Sequence, residues 1–285
     1  MAPRRYCRAR LGGQSRWFLD RGDHLLDLQS AVDGDDVPAL LRHLADTDVT
    51  WAPPGGAVQV DPARVEWQVP VPRPGKVICL GLNYAAHAAE GGNAPPEYPA
   101  LFLRAATSLI AHDAPLIRPR ASDRLDFEAE LAVVIGRRAR HLDAAQALSA
   151  VAGYACFNDG TLRDYQRRTS QWTVGKNFDG TGAFGPWLVP AADLPPGATG
   201  LSIESRLNGQ VMQRDNTGHM MVSVTQALVL LSEVFTLEPG DVIAMGTPAG
   251  VGYARTPPVF MKAGDRIEVE IEGLGVLANT VEDET

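Results

Sequence analysis

The order of short apolar runs along this chain predicts a β-rich α+β fold. Three observations carry that expectation. Gly (28) and Pro (21) are both used above average in 285 residues, which multiplies turns and works against a helical bundle. Strand-like runs outnumber helix-like ones and follow one another irregularly, without the β-α-β-α alternation of a doubly wound sheet. The composition, 45% hydrophobic and 21% charged, is that of an ordinary globular chain. At this length ~75% of the unfolded surface is buried on folding, so a core forms without disulfides or a structural metal.

Residues 1–72 read as a small N-terminal α+β unit. Trp17-Phe18-Leu19 and Leu25-Leu26-Asp27-Leu28 are strand-like runs separated by the turn signal Arg21-Gly22-Asp23. Val37, Leu40, Leu41 and Leu44 recur at helical spacing and predict a helix from Val37 to Ala45. Pro53-Pro54-Gly55-Gly56 closes that unit, and the proline-rich Pro70 to Pro74 stretch places the boundary at 72/73.

Residues 73–285 form the larger unit. Val77-Ile78-Cys79-Leu80 is a short apolar run closed by Gly81. Glu128 to Ile135 is another, closed by Gly136, and its continuous apolar half predicts burial on both faces. Asn208-Gly209 between apolar flanks predicts a two-residue hairpin. Arg266 to Glu272 alternates charged with aliphatic residues, so one face is wet. Two helices are expected. Asp143 and Ser223 are N-caps with Gln146 and Gln226 at the third position; Gly153 ends the first helix and Pro239-Gly240 the second.

Charge and cysteine usage narrow the function. Lys+Arg 26 against Asp+Glu 34 gives a net charge of −8 with no basic stripe, so no nucleic-acid partner is expected. No run of ~18 apolar residues occurs, so no membrane-spanning helix is expected. Cys7, Cys79 and Cys156 are isolated, which predicts buried thiols in a reducing, cytoplasmic setting. Arg4-Arg5 is followed by no apolar segment of the kind an export signal needs.

Three constellations could carry chemistry. In Asp126-Phe127-Glu128-Ala129-Glu130, carboxylates two apart share one face of a strand. So placed they repel unless a cation such as Mg²⁺ or Ca²⁺ joins them; a solvated strand face would use the same pattern. Asp159, at the end of the Tyr154 to Phe157 run, could add a further ligand or simply cap a turn; Arg163 and Gln166, on one side of the next helical turn, could grip a substrate carboxylate. His87 and Glu90 are neighbours on a helical turn, able to activate a water or to form an ordinary surface pair. The segment from Glu90 to Pro99, with Gly91-Gly92, reads as a lid. No GxSxG or HExxH motif occurs, and the GxGxxG match at Gly180 to Gly185 runs into Pro186-Trp187 where a helix should begin.

Together these runs resemble the fumarylacetoacetate hydrolase family. The matching segments are Gly81-Leu82-Asn83-Tyr84 through His87 and Glu90, Asp126 through Gly136, Asn158-Asp159 with Arg163, Asp164 and Gln166, and Met245-Gly246-Thr247-Pro248 through Gly252. The resemblance covers about residues 75–283, and the N-terminal unit is similar to the small domain of bacterial acylpyruvase-like members. It implies a mixed β-roll catalytic domain and a homodimer. It implies Glu128, Glu130 and Asp159 as metal ligands, displacing Asp126, with Mg²⁺ the usual ion and Mn²⁺ or Ca²⁺ in some members. His87 and Glu90 match the catalytic dyad on its lid, Lys176 the catalytic lysine, and Arg163, Gln166 and Thr247 substrate contacts. Arg104, where many members have Lys, and His219, where an acidic residue is common, are expected to line the region that distinguishes substrates.

The implied chemistry is a metal-stabilised enolate of a 2-oxo acid. Hydrolysis of a C–C bond in a 2,4-dioxo acid of the acylpyruvate or fumarylpyruvate type is favoured because the His87/Glu90 pair is complete. Decarboxylation or isomerisation of a related acid, such as oxaloacetate or a 2-hydroxymuconate-type intermediate of aromatic catabolism, is the alternative. Metal-dependent binding without turnover is a third reading, against which the intact His87, Glu90 and Lys176 argue.

Overall fold

A computed structural model describes residues 2–28, 37–45 and 57–285. It is strand-rich, and two sheets organise it. The larger, twelve-stranded sheet runs from the N-terminal strands Leu25–Asp27, Gln14–Asp20 and Tyr6–Leu11 into Gly182–Pro190, Val151–Asp159, Ala129–Ile135, Val242–Ala244, Val77–Gly81 and Ala100–Arg104. Most neighbours are antiparallel; Val242–Ala244 lies parallel to Val77–Gly81. The five-stranded sheet holds Gln210–Asn216, Ser202–Leu207, Arg266–Ile271, Gly275–Asp283 and Leu116–Arg118.

Ala129–Ile135 is buried along its whole length, as its continuous apolar half predicts. Side chains alternate between faces at period two. Leu131, Val133 and Ile135 pack with Ile203, Val269 and Leu277 of the smaller sheet and with Leu228. Ala132 and Val134 face the other way, towards Trp17, Leu40 and Leu41.

The helix Val37–Ala45 forms where its spacing predicts, with Val37, Leu40, Leu41 and Leu44 all buried. It packs on Val151–Asp159. The larger sheet crosses the 72/73 boundary without interruption: Tyr6 pairs with Leu188 and Cys7 with Trp187. The closing Pro53-Pro54-Gly55-Gly56 signal lies outside the described residues. All three thiols are buried, and burial pushes that of Cys156 up to about 12.

Two turn signals hold. Asn208 and Gly209 both take positive φ, 51° and 78°, and join Ser202–Leu207 to Gln210–Asn216. Ser223 caps Val224–Val234 in a full capping box with Gln226. That helix stops at Phe235, which is extended, ahead of the expected Pro239-Gly240. The helix expected after Asp143 is corrected to a turn and a short 3₁₀ segment, Ala147–Ala150. The Asp143 carboxylate does accept from Gln146 N–H at 2.8 Å, but the chain then enters the strand Val151–Asp159. Gly153 belongs to that strand, where a Cβ would run into the Val189 carbonyl. Its small size serves sheet packing, not helix termination.

Candidate active site

Strand pairing builds the site. Ala129 lies opposite Asn158, and Asp159 N–H donates to the Glu128 carbonyl at 2.9 Å, so Glu128, Glu130 and Asp159 meet at one end of two central strands. One oxygen from each can be chosen so that all lie within 4.8 Å of one another, and all three residues are buried. Side-chain amides pin the entry to the strand: Asn158 Oδ1 accepts from Glu128 N–H and Gln213 Oε1 from Ala129 N–H, both at 3.0 Å.

The shared face expected for Asp126, Glu128 and Glu130 is interrupted. Leu125–Asp126 pairs with Thr161–Leu162 in a separate two-stranded ribbon, so Asp126 leaves the plane of its neighbours. Its carboxylate accepts from the N–H groups of Phe127, Gly252 and Tyr253 and from Arg163 Nε at 2.8 Å. A carboxylate so saturated holds Arg163 and has little left for a metal.

Arg163 reaches Glu128 Oε1 at 2.7 Å and donates to Gln166 Oε1 at 2.9 Å. Lys176 Nζ bridges Glu128 Oε2 at 2.6 Å and Asp159 Oδ2 at 2.5 Å. Burial alone would raise the Glu128 carboxyl, but Lys176 and Arg163 hold it below the usual carboxylate range. Lys176 shows the converse: burial pulls its ammonium down, yet Asp159 and Glu128 keep it above its ordinary value. Glu130 has no cation partner among the described residues. It accepts from Gly246 N–H at 2.9 Å, and burial, then Asp159 and Glu128, push its carboxyl well above the usual range.

Four buried carboxylates, Asp126, Glu128, Glu130 and Asp159, thus meet three buried cations, Arg104, Arg163 and Lys176. Three converging oxygen donors, one of them without a cation partner, fit a divalent cation such as Mg²⁺ or Ca²⁺.

His87 sits on the short helix Ala85–Glu90 and lines the cleft. Its Nδ1 lies 2.7 Å from Glu90 Oε1, and Glu90 Oε2 accepts from Gly250 N–H at 2.8 Å. An ionised carboxylate can only accept here, so Nδ1 carries the proton of this hydrogen bond. The cleft, about 400 Å³, also exposes Glu128, Glu130, Arg163, Gln166, Lys176 and Thr247.

Arg104 is placed elsewhere. Its side chain is fully buried beneath the carboxylates, bonded to Asp159 Oδ1 at 2.5 Å, to the Gly160 carbonyl and to Thr181 Oγ1. It supports Asp159 and forms no part of the cleft wall. His219 is also off the wall, exposed and bonded to Asp215. Gln213 was not singled out by sequence reasoning. It braces the strand entry while donating to Thr247 Oγ1 at 2.7 Å, and a lone Gln in a hairpin strand carries no motif that would announce this.

Known proteins share this fold. The chain is 42% identical over 221 residues to oxaloacetate tautomerase FAHD2A, mitochondrial, from Bos taurus, spanning 77% of this chain and 70% of that relative. Its fold matches the fumarylacetoacetate hydrolase from psychrophilic Exiguobacterium antarcticum with a TM-score of 0.87 and 36% identity, over 99% of this chain and 100% of that one. It matches maleylpyruvate hydrolase from Sphingobium sp. SYK-6 with a TM-score of 0.81 and 29% identity, over 98% and 100%. The family model described as fumarylacetoacetate (FAA) hydrolase C-terminal covers residues 76–282, and the chain belongs to that family.

Proposed function

We propose that this protein hydrolyses a C–C bond in a 2,4-dioxo acid of the acylpyruvate or fumarylpyruvate type. In this reading a divalent cation, Mg²⁺, is held by Glu128, Glu130 and Asp159. The observation that carries the proposal is the complete His87–Glu90 pair, 2.7 Å apart, beside the cleft that contains the buried carboxylates.

When bound, the cation supplies Lewis-acid polarisation of the 2-oxo acid's oxygens. The chain's residues do the rest. Glu90, fixed by Gly250 N–H, keeps the proton of His87 on Nδ1. His87 Nε2 then takes the proton of a water directed at the C4 carbonyl, and Glu90 stabilises the charged ring. Lys176 adds positive charge where negative charge develops on the substrate as the C3–C4 bond breaks. Arg163, with Gln166 on its Nη1, and Thr247 orient the substrate's carboxylate. The Glu90 to Pro99 segment acts as a lid over the site; oxalate with Mg²⁺ is expected to increase its protection from hydrogen exchange. The reading carries with it a homodimer, supported by the sequence resemblance, and a cytoplasmic setting, supported by the isolated, buried cysteines.

A second reading, proton transfer at C3, is favoured by the 42% identity to a protein described as an oxaloacetate tautomerase. The same His87–Glu90 pair can move a proton without delivering water. Incubating the Mg²⁺-loaded protein with acylpyruvates, oxaloacetate and a 2-hydroxymuconate-type acid, and following products by NMR, separates the two. Pyruvate plus a carboxylic acid is the expected outcome. Keto–enol exchange of oxaloacetate with no acylpyruvate cleavage would replace hydrolysis by the second reading, and full activity after EDTA treatment would remove the metal from both.

A further inference from the structure

Arg167 stands on the outer wall of the cleft, and it differs from every other cation there. Lys176 and Arg163 are buried and matched by carboxylates. Arg167 is exposed and pairs with no carboxylate among the described residues. It is held by an aromatic face instead: its guanidinium carbon lies 4.6 Å from the Tyr253 ring centroid, and that of Arg163 lies 4.4 Å from the same ring.

A second groove opens beyond this point. It shares Arg163, Arg167 and Tyr253 with the cleft and continues past Arg124 to Phe260. Arg124 also pairs with no carboxylate among the described residues. Two carboxylates line the same groove, and neither pairs with Arg167: Asp164 accepts from Ser122 Oγ at 2.6 Å, and Asp123 forms no ion pair among the described residues. The way out of the cleft therefore passes a cation that is oriented by stacking and lacks a counter-ion.

We propose that Arg167, carried on the Tyr253 ring, anchors an anionic tail, so that the site selects 2-oxo acids bearing a second negatively charged group over those with a neutral tail. This rests on the proposed function, in which the 2-oxo acid head lies at the carboxylate trio. A guanidinium already stacked loses little rotamer freedom when it meets an anion, and its planar fork suits a carboxylate. A neutral tail gains nothing from it. Tyr253 and Arg167 are thus specificity residues at the tail, separate from the groups that act on the head.

Calorimetric titration of the full chain with Mg²⁺ tests this without relying on turnover. The probes are 2-oxoglutarate and 2-oxoadipate against 2-oxopentanoate and 2-oxohexanoate, which share the head and differ in tail charge. The wild type is expected to bind the better dicarboxylate roughly tenfold tighter than its neutral counterpart, the worth of one exposed charge-assisted contact. Arg167→Gln should collapse that ratio towards one, Arg167→Lys should keep part of it, and Arg167→Glu should invert it. Tyr253→Leu should weaken the ratio by releasing the guanidinium. Equal binding of both acids by the wild type, or a preference that survives Arg167→Glu, would overturn the tail site while leaving the head reading intact. Failure of all four acids and of oxalate to bind with Mg²⁺ would overturn the proposed function, and the tail site with it.

Discussion

One segment, Glu128 to Ile135, passes through two different environments. Its first three residues include Glu128 and Glu130, set among buried charges. The run from Leu131 to Ile135 lies among apolar side chains on both faces. Both ends are buried, yet they are held by opposite means. The apolar end gains from the area it buries, roughly 2–3 kcal/mol for a fully buried leucine, with little demand on direction. The charged end depends on direction: Lys176 on two carboxylates, Arg163 between Asp126 and Glu128, Arg104 beneath Asp159. Buried ion pairs of this kind are often no more stabilising than apolar residues of the same volume. Their retention at one end of a strand that could have been aliphatic throughout points to chemistry.

The sharpest test of the contrast is Glu128→Gln. Mg²⁺-dependent turnover is expected to fall below detection while the fold survives, because the apolar half of the strand is untouched. Steady-state assays with circular dichroism and a Mg²⁺ titration check both halves of that statement. Unfolding of the variant would mean that the charged end also carries the fold.

Next in size is His87→Ala. Loss of the proposed water-activating group is expected to reduce C–C cleavage by roughly 10²–10⁴ while Mg²⁺ affinity is retained. Cleavage at the wild-type rate would assign water activation to another group.

A pair of variants measures the two ends directly. Leu131→Ala is expected to destabilise the protein by about 2–5 kcal/mol in urea unfolding, through a cavity between the sheets. Glu130→Gln in metal-free protein is expected to be neutral or stabilising, because burial, Asp159 and Glu128 already hold this carboxyl towards its neutral form and the amide oxygen still accepts from Gly246 N–H. Equal destabilisation by both would erase the distinction.

The smallest effect concerns His112, a half-buried ring whose Nε2 lies 3.4 Å from Asp113. Its Nδ1 accepts from Ala278 N–H at 3.1 Å, and it meets the Trp67 ring edge-on at 5.3 Å. Burial pulls its pKa below the usual imidazole range; Asp113 opposes this and Arg266 adds to it. With the folded pKa depressed, the neutral ring's contribution is fully present above the unfolded value of about 6.5 and is lost as pH falls below it. The unfolding midpoint should decline on the acidic side of that value, and less steeply in His112→Gln. An unchanged slope would show that the ring does not titrate between the two states.

Much of this was legible in one dimension. The Val37–Ala45 helix, the Asn208-Gly209 turn, the Ser223 cap and the doubly buried run after Glu130 all follow from periodicity or local turn chemistry, which depend on near neighbours alone. The His87–Glu90 contact is equally local, three residues apart on one helical turn. The helix expected after Asp143 failed because its cap was right while Gly153 was answering to Val189, a strand partner remote in sequence.

The carboxylate site belongs to both levels. The sequence by itself determined which residues could serve, the acidic alternation from Asp126 to Glu130 and the later Asp159, Arg163 and Lys176. Only the tertiary structure decided their division of labour. The break after Asp126 sends that carboxylate to Arg163 and three backbone N–H groups, pairing of Ala129 with Asn158 delivers Asp159 in its place, and Arg104 is drawn beneath Asp159, away from the cleft. The physical reason is that a buried charge is governed by the opposite charges and donors within a few ångströms, and here most of those arrive from strands and turns dozens of residues away.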